Sequence, residues 1–71
     1  METSIAVLML FQESKRTVIV TSRFGEKTQE VLGHVISIDE NQGIILKTQE
    51  GGLLIRFADL KKIQFENRFK R

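Results

Sequence analysis

The sequence predicts a mainly β protein, a small five-stranded barrel with a short N-terminal helix, and three observations carry that expectation. Gly33 to Ile63 holds three short apolar runs parted by Asp39 to Gly43 and by Glu50 to Gly52. Both separators are rich in turn-forming residues, which is the pattern of an antiparallel meander. Upstream, Thr17-Val18-Ile19-Val20-Thr21 is β-branched throughout, as strands favour. Between them, Lys27 to Asp39 is far longer than the usual ~5 to 6 residues of a strand. It carries Gly33 near its middle, so one sharply bent strand can serve both halves of a barrel.

Taken in order, Thr3 or Ser4 can cap a helix over residues 4 to 13, where Ile5, Leu8, Met9 and Gln12 recur at helical spacing. The alternative is a strand over the same run, pairing with Thr17 to Phe24 across Glu13 to Arg16. The first strand runs from Thr17 to Phe24 and ends at Gly25-Glu26. Lys27 to Asp39, Ile44 to Gln49, Gly52 to Phe57 and Lys61 to Phe65 complete the five. Ala58-Asp59-Leu60 is too short for a helix and fits one 3₁₀ turn.

Alternation assigns the faces. Val18, Val20, Ile36, Ile38, Ile44, Leu46, Leu53, Ile55, Phe57, Ile63 and Phe65 form the expected interior. Ile19, Val35, Ile45 and Leu54 fall on the opposite face and need a cover, from the helix or from a partner.

The 71 residues make one domain, with 67 to 71 expected to be a flexible basic tail. So short a chain buries only ~60% of its unfolded surface. With no cysteine, and with His34 the single histidine, disulfides and a metal site within one chain are excluded, and no cofactor is implied. Self-association is the remaining route to stability, so a homo-oligomer is expected. The apolar run Ile5 to Phe11 is too short to cross a bilayer, which takes roughly 20 residues, and no Lys or Arg precedes it. A cytoplasmic protein with no membrane association is the expectation. The net charge of +2 is uneven: residues 56 to 71 carry six basic groups against two acidic, net +4, and residues 1 to 55 sum to −2.

Asp39-Glu40-Asn41 lacks the spaced ligands of a cation loop and reads as a self-bonded turn. Asp59 reads as a cap on the turn between the last two strands. His34 follows Gly33 at the parity of Ile36, which makes it a half-buried histidine with a backbone partner. Gly51-Gly52 is a hairpin, since no Lys-Ser/Thr follows it as in a phosphate loop. No Ser or Thr has a histidine and an acid at spacing for nucleophilic catalysis. The expectation is therefore not an enzyme, with no catalytic residues.

The helix, the bent second strand and the spacing Val18, Gly25, Gly33, Asp39, Leu46 resemble the first motif of the Sm and Lsm family, an SH3-like barrel. The residues that read RNA bases in that family differ here. Gly43 stands where it has asparagine, and Phe57 follows Arg56 where it has glycine. A closer likeness is to the YolD-like family of small proteins from Gram-positive bacteria and their phages. It rests on Phe24-Gly25, Gly33-His34-Val35-Ile36-Ser37-Ile38-Asp39, Ile44 to Leu46 and Ile55-Arg56-Phe57-Ala58-Asp59-Leu60-Lys61-Lys62-Ile63. It covers roughly residues 17 to 65, and little of that family's longer N-terminal region is found here. The resemblance implies genes beside translesion DNA polymerases and an accessory role in DNA-damage responses.

Two functions are thus expected to compete. In the first, a protein-interaction module docks a repair polymerase or a regulatory protein through Ile19, Val35, Ile45 and Leu54. In the second, a homo-oligomer binds nucleic acid weakly and without sequence preference through Arg56, Lys61, Lys62, Arg68, Phe69, Lys70 and Arg71.

Overall fold

Ser4 opens the first element by accepting a 3.2 Å hydrogen bond from the Val7 amide to its hydroxyl, so helix α1 spans Ile5–Ser14. The apolar run Ile5 to Phe11 is therefore helical, not a strand. Lys15 closes the helix in the left-handed region at φ 60°, and the Ser14 hydroxyl accepts from the Arg16 amide. The structure is a computed structural model, and it describes residues 4–66. The expected flexibility of 67 to 71 concerns residues outside that range.

Five strands follow: β1 Val18–Phe24, β2 Lys27–Asp39, β3 Gly43–Thr48, β4 Gly51–Arg56 and β5 Leu60–Phe65. They form one antiparallel sheet in the order β4-β3-β2-β1-β5. The long β2 is divided as expected, with Lys27 to Gly33 paired to β1 and His34 to Asp39 paired to β3.

The order forces a curl. In a flat sheet β4 and β5 would lie ~19 Å apart, at ~4.8 Å per strand. Yet Arg56 and Leu60 are four residues apart, a span of at most ~14 Å. The sheet therefore bends round on itself, and the turn between its ends is held by Asp59 N–H to Arg56 O at 2.9 Å and Leu60 N–H to Phe57 O at 3.3 Å. Among the described residues no ladder joins β4 to β5, so the sheet is curled but not a closed barrel.

Leu8, Val18, Val20, Val35, Ile44, Leu46, Ile55, Leu60 and Ile63 are the buried core, with Ile38, Leu53, Phe57 and Phe65 packed against it. Two face assignments are corrected. Val35 is 4% exposed and belongs to the core, whereas Ile36 is 48% exposed. The cause is a bulge: Val35 pairs with Leu46 and Ser37 with Ile45, which leaves Ile36 as the extra residue. Inward parity is odd before it, at Val31, Gly33 and Val35, and even after it, at Ile38. A second bulge places Lys61 between Leu60, opposite Ser22, and Lys62, opposite Thr21. Leu60 and Ile63 consequently both turn inward, and Leu60 is a strand residue and not part of the turn.

The helix covers one open side of the sheet with Ile5, Leu8 and Phe11. Phe11 meets Phe65 at a centroid distance of 4.6 Å, and the Arg16 guanidinium lies 4.2 Å above the Phe65 ring. Met9, which recurs at helical spacing with Ile5 and Leu8, is 47% exposed.

Gly33 is glycine because β3 comes down on it. A Cβ there would lie 2.9 Å from Leu46 Cγ and would run into the Lys47 carbonyl oxygen. Gly33→Ala is expected to cost ~1 to 3 kcal/mol, a fall in Tm of ~5 °C or more. Gly52→Ala is the control, since its Cβ meets only Ile45 Cγ2 at 3.9 Å. Equal and small changes in thermal unfolding of both variants would show that β2 and β3 do not approach this closely.

Candidate functional site

The four apolar residues expected to form one docking face do not do so. Val35 is in the core, Ile19 and Ile45 are half-buried, and Leu54 is 43% exposed. Register separates the remaining three into two patches. Ile19 faces Leu32 across β1 and β2, and Ile45 faces Leu54 across β3 and β4. Leu32, 43% exposed, was missed. Counting back from the two-residue turn at Gly25-Glu26 puts it opposite Ile19, so the signal was present in the hairpin arithmetic.

A further apolar surface lies on α1. Val7, Met9 and Leu10 are 42%, 47% and 63% exposed, on the side turned away from the sheet. Ile36 adjoins the end of the helix, where Gln12 Nε2 donates to the Ile36 carbonyl at 3.1 Å. The signal was the apolar run itself: seven consecutive apolar residues wrap a helix completely, and a sheet can cover only one stripe of it.

The basic residues are dispersed. Arg56 points to solvent and lies 3.8 Å from Asp59, which is also 3.7 Å from Arg23. Asp59 therefore acts through these exposed, weakly stabilising ion pairs and not as a side-chain cap. Its carbonyl makes the firmer link, accepting from the Arg23 amide at 2.9 Å and the Ser22 hydroxyl at 3.2 Å. Lys61 and Lys62 are both exposed and adjacent on β5 because of the bulge. Arg68, Phe69, Lys70 and Arg71 lie outside the described residues.

The remaining motifs are local. Asn41 N–H donates to Asp39 Oδ1 at 2.8 Å, the self-bonded turn expected. The Thr48 hydroxyl closes the β3–β4 turn by donating to Gly51 O and accepting from Glu50 N–H, both at 3.0 Å. His34 is exposed and not half-buried, and its Nε2 lies 3.5 Å from the Thr17 hydroxyl instead of on a backbone partner. Among the described residues no three His, Cys, Asp or Glu side chains group closely enough to hold a metal ion. No helix among them is long and apolar enough to cross a membrane.

Gly43 shows why a base-reading amide has no place here. A Cβ at this position would lie 2.7 Å from Arg56 Cα and would collide with the Ile55 carbonyl oxygen. Gly43→Asn is expected to destabilise the fold by ~2 kcal/mol or more and to confer no uridine preference. Chemical denaturation and oligouridine titration measure the two effects, and a stable variant that binds oligouridine would contradict the packing argument.

No protein-family model matches this chain, and neither does any curated protein or solved structure.

Proposed function

We propose that the chain is a small, non-enzymatic interaction module of the Sm-like, SH3-like barrel type that docks a protein partner on the outer side of α1. The strand order, the shared bent strand β2 and the curl of the sheet support the fold name. The observation that carries the function is the exposure of Val7, Met9 and Leu10 on a helix whose opposite side already covers the core. The YolD-like resemblance adds the kind of partner, a translesion polymerase or a regulator in DNA-damage responses, and cytoplasmic action as an accessory protein. A partner identified by photocrosslinking from position 10 in cells, then purified, allows a direct test. Val7→Gln together with Leu10→Gln should leave Tm within a few degrees, because glutamine is a good helix former. The same pair should weaken the complex by about tenfold or more. Unchanged affinity would overturn the assignment of this surface.

Lys61 and Lys62, side by side on β5 at the edge of the sheet, favour a second reading, a homo-oligomer that binds nucleic acid through phosphate contacts alone. Such binding should be indifferent to sequence and fall steeply as salt rises from ~50 to ~200 mM. Fluorescence anisotropy with single-stranded DNA and RNA measures it. Tight, salt-resistant binding confined to one sequence would exclude the backbone-only mode, and no binding at low salt would remove this reading.

A further inference from the structure

We infer that the groove beneath the C-terminal cap of α1 binds the phosphoryl group of a small phosphate ester, held by Lys15, His34 and Lys47. These side chains come from three different elements and line one groove of about 360 Å³ with Gln12, Val35 and Ile36. That volume falls within the ~300 to 1,000 Å³ of small-molecule sites. His34 and Lys47 are direct register partners across β2 and β3 and are both exposed, so two nitrogen donors stand side by side. Lys15 reaches the same groove from the helix cap. No carboxylate lines it; Glu66 lines the neighbouring groove, which shares His34 and Lys47 with this one.

The second observation is conformational. Lys15 is the one non-glycine among the described residues with positive φ, at φ 60° and ψ 20°, where a helix end favours glycine. A lysine suits a helix C-terminus by its charge, but its Cβ strains the left-handed backbone there, and strained backbone positions of this sort gather at ligand sites. The neighbouring Arg16 is engaged with the Phe65 ring, which leaves Lys15 as the cation that the cap offers to the groove. The hydrogen bond from Gln12 to the Ile36 carbonyl ties the end of the helix to the β2 bulge, so the two walls are held together. Exposed Ile36 supplies an apolar surface beside the three donors, suited to the organic part of an ester and not to a bare ion. The site is separate from Lys61 and Lys62 and from the outer side of α1, so it stands or falls independently of both functions above.

The test is a titration of the ¹⁵N-labelled chain, followed by amide chemical shifts at constant ionic strength, with inorganic phosphate, thymidine 5′-monophosphate and a thymidine tetranucleotide as probes. Thymidine monophosphate is expected to saturate and to move Gln12, Lys15, His34, Ile36 and Lys47 together, more tightly than inorganic phosphate. A tetranucleotide binding more tightly than the mononucleotide at these same residues would identify a nucleic-acid end as the source of the phosphoryl group. The reverse order would identify a free small molecule. Lys15→Gly should raise Tm by ~2 to 8 °C through relief of the cap and yet lose about tenfold or more in affinity, so failure to fold cannot explain the loss. Lys47→Gln should lose a similar factor, and Lys61→Gln with Lys62→Gln should lose none. Shifts that do not saturate, that fall elsewhere, or that survive both Lys15→Gly and Lys47→Gln would overturn the inference.

Discussion

Because the Lys47 carbonyl and the Leu46 side chain come down on Gly33, β2 can leave the β1 ladder and enter the β3 ladder with no residue between them. The rest of the architecture depends on this close approach. Val18 is opposite Gly33 in one ladder, and Lys47 is opposite His34 in the other, so the two halves of the sheet meet at a point where only a glycine fits. Once β2 serves both halves, β4 and β5 become the two ends of one sheet. The short turn at Phe57 to Asp59 then obliges those ends to approach. The curl follows from chain connectivity and not from any particular contact between the edge strands.

The sequence made most elements visible because their signals are local. Turn chemistry at Gly25-Glu26, Asp39 to Gly43 and Glu50 to Gly52 separated the strands, and a capping residue before an apolar run at helical spacing favoured a helix over the strand alternative. Face assignment worked wherever strict alternation held, as at Val18, Val20, Ile44 and Leu46. It failed at Val35 and Ile36 because a bulge adds one residue to β2, and nothing in Gly-His-Val-Ile-Ser-Ile-Asp says where the extra residue falls. Leu60 was obscured in the same way by the bulge at Lys61. The candidate surface was therefore read only in part. Leu54 and the two lysines of β5 were visible as exposed, whereas Leu32 required register and the groove at His34 required the third dimension.

The composition of α1 is not explained by the fold alone. Full burial of Leu8 contributes ~1.5 to 3 kcal/mol, and Ile5 and Phe11 extend that stripe against the sheet. Stability asks nothing of the other side, where lysine, glutamate or glutamine would serve the helix as well and keep it soluble. Val7 is a particular anomaly, since a β-branched residue at a 42% exposed helical position gains limited packing and is a poorer helix former than alanine. Folding alone does not require apolar residues there, whereas the docking role proposed for this surface would.

Two chemically different surfaces thus flank the same helix. Its outer side is uncharged from Ile5 to Gln12, and its C-terminal cap overhangs a groove rich in nitrogen donors. Both draw on the attachment of α1 to β2, through Gln12 and the Ile36 carbonyl, and to β5, through Phe11, Phe65 and Arg16. A ligand that bridges Lys15 to His34 and Lys47 would tighten the first attachment and so reduce the freedom of the helix that presents Val7, Met9 and Leu10. Any partner that needs α1 ordered would then bind more tightly with the groove filled, and reciprocity requires the partner to raise affinity for the groove ligand by the same factor. Gly43 is packed against the backbone of β4 and Arg56 faces Asp59, so the docking role proposed above falls to α1 and not to a base-reading loop.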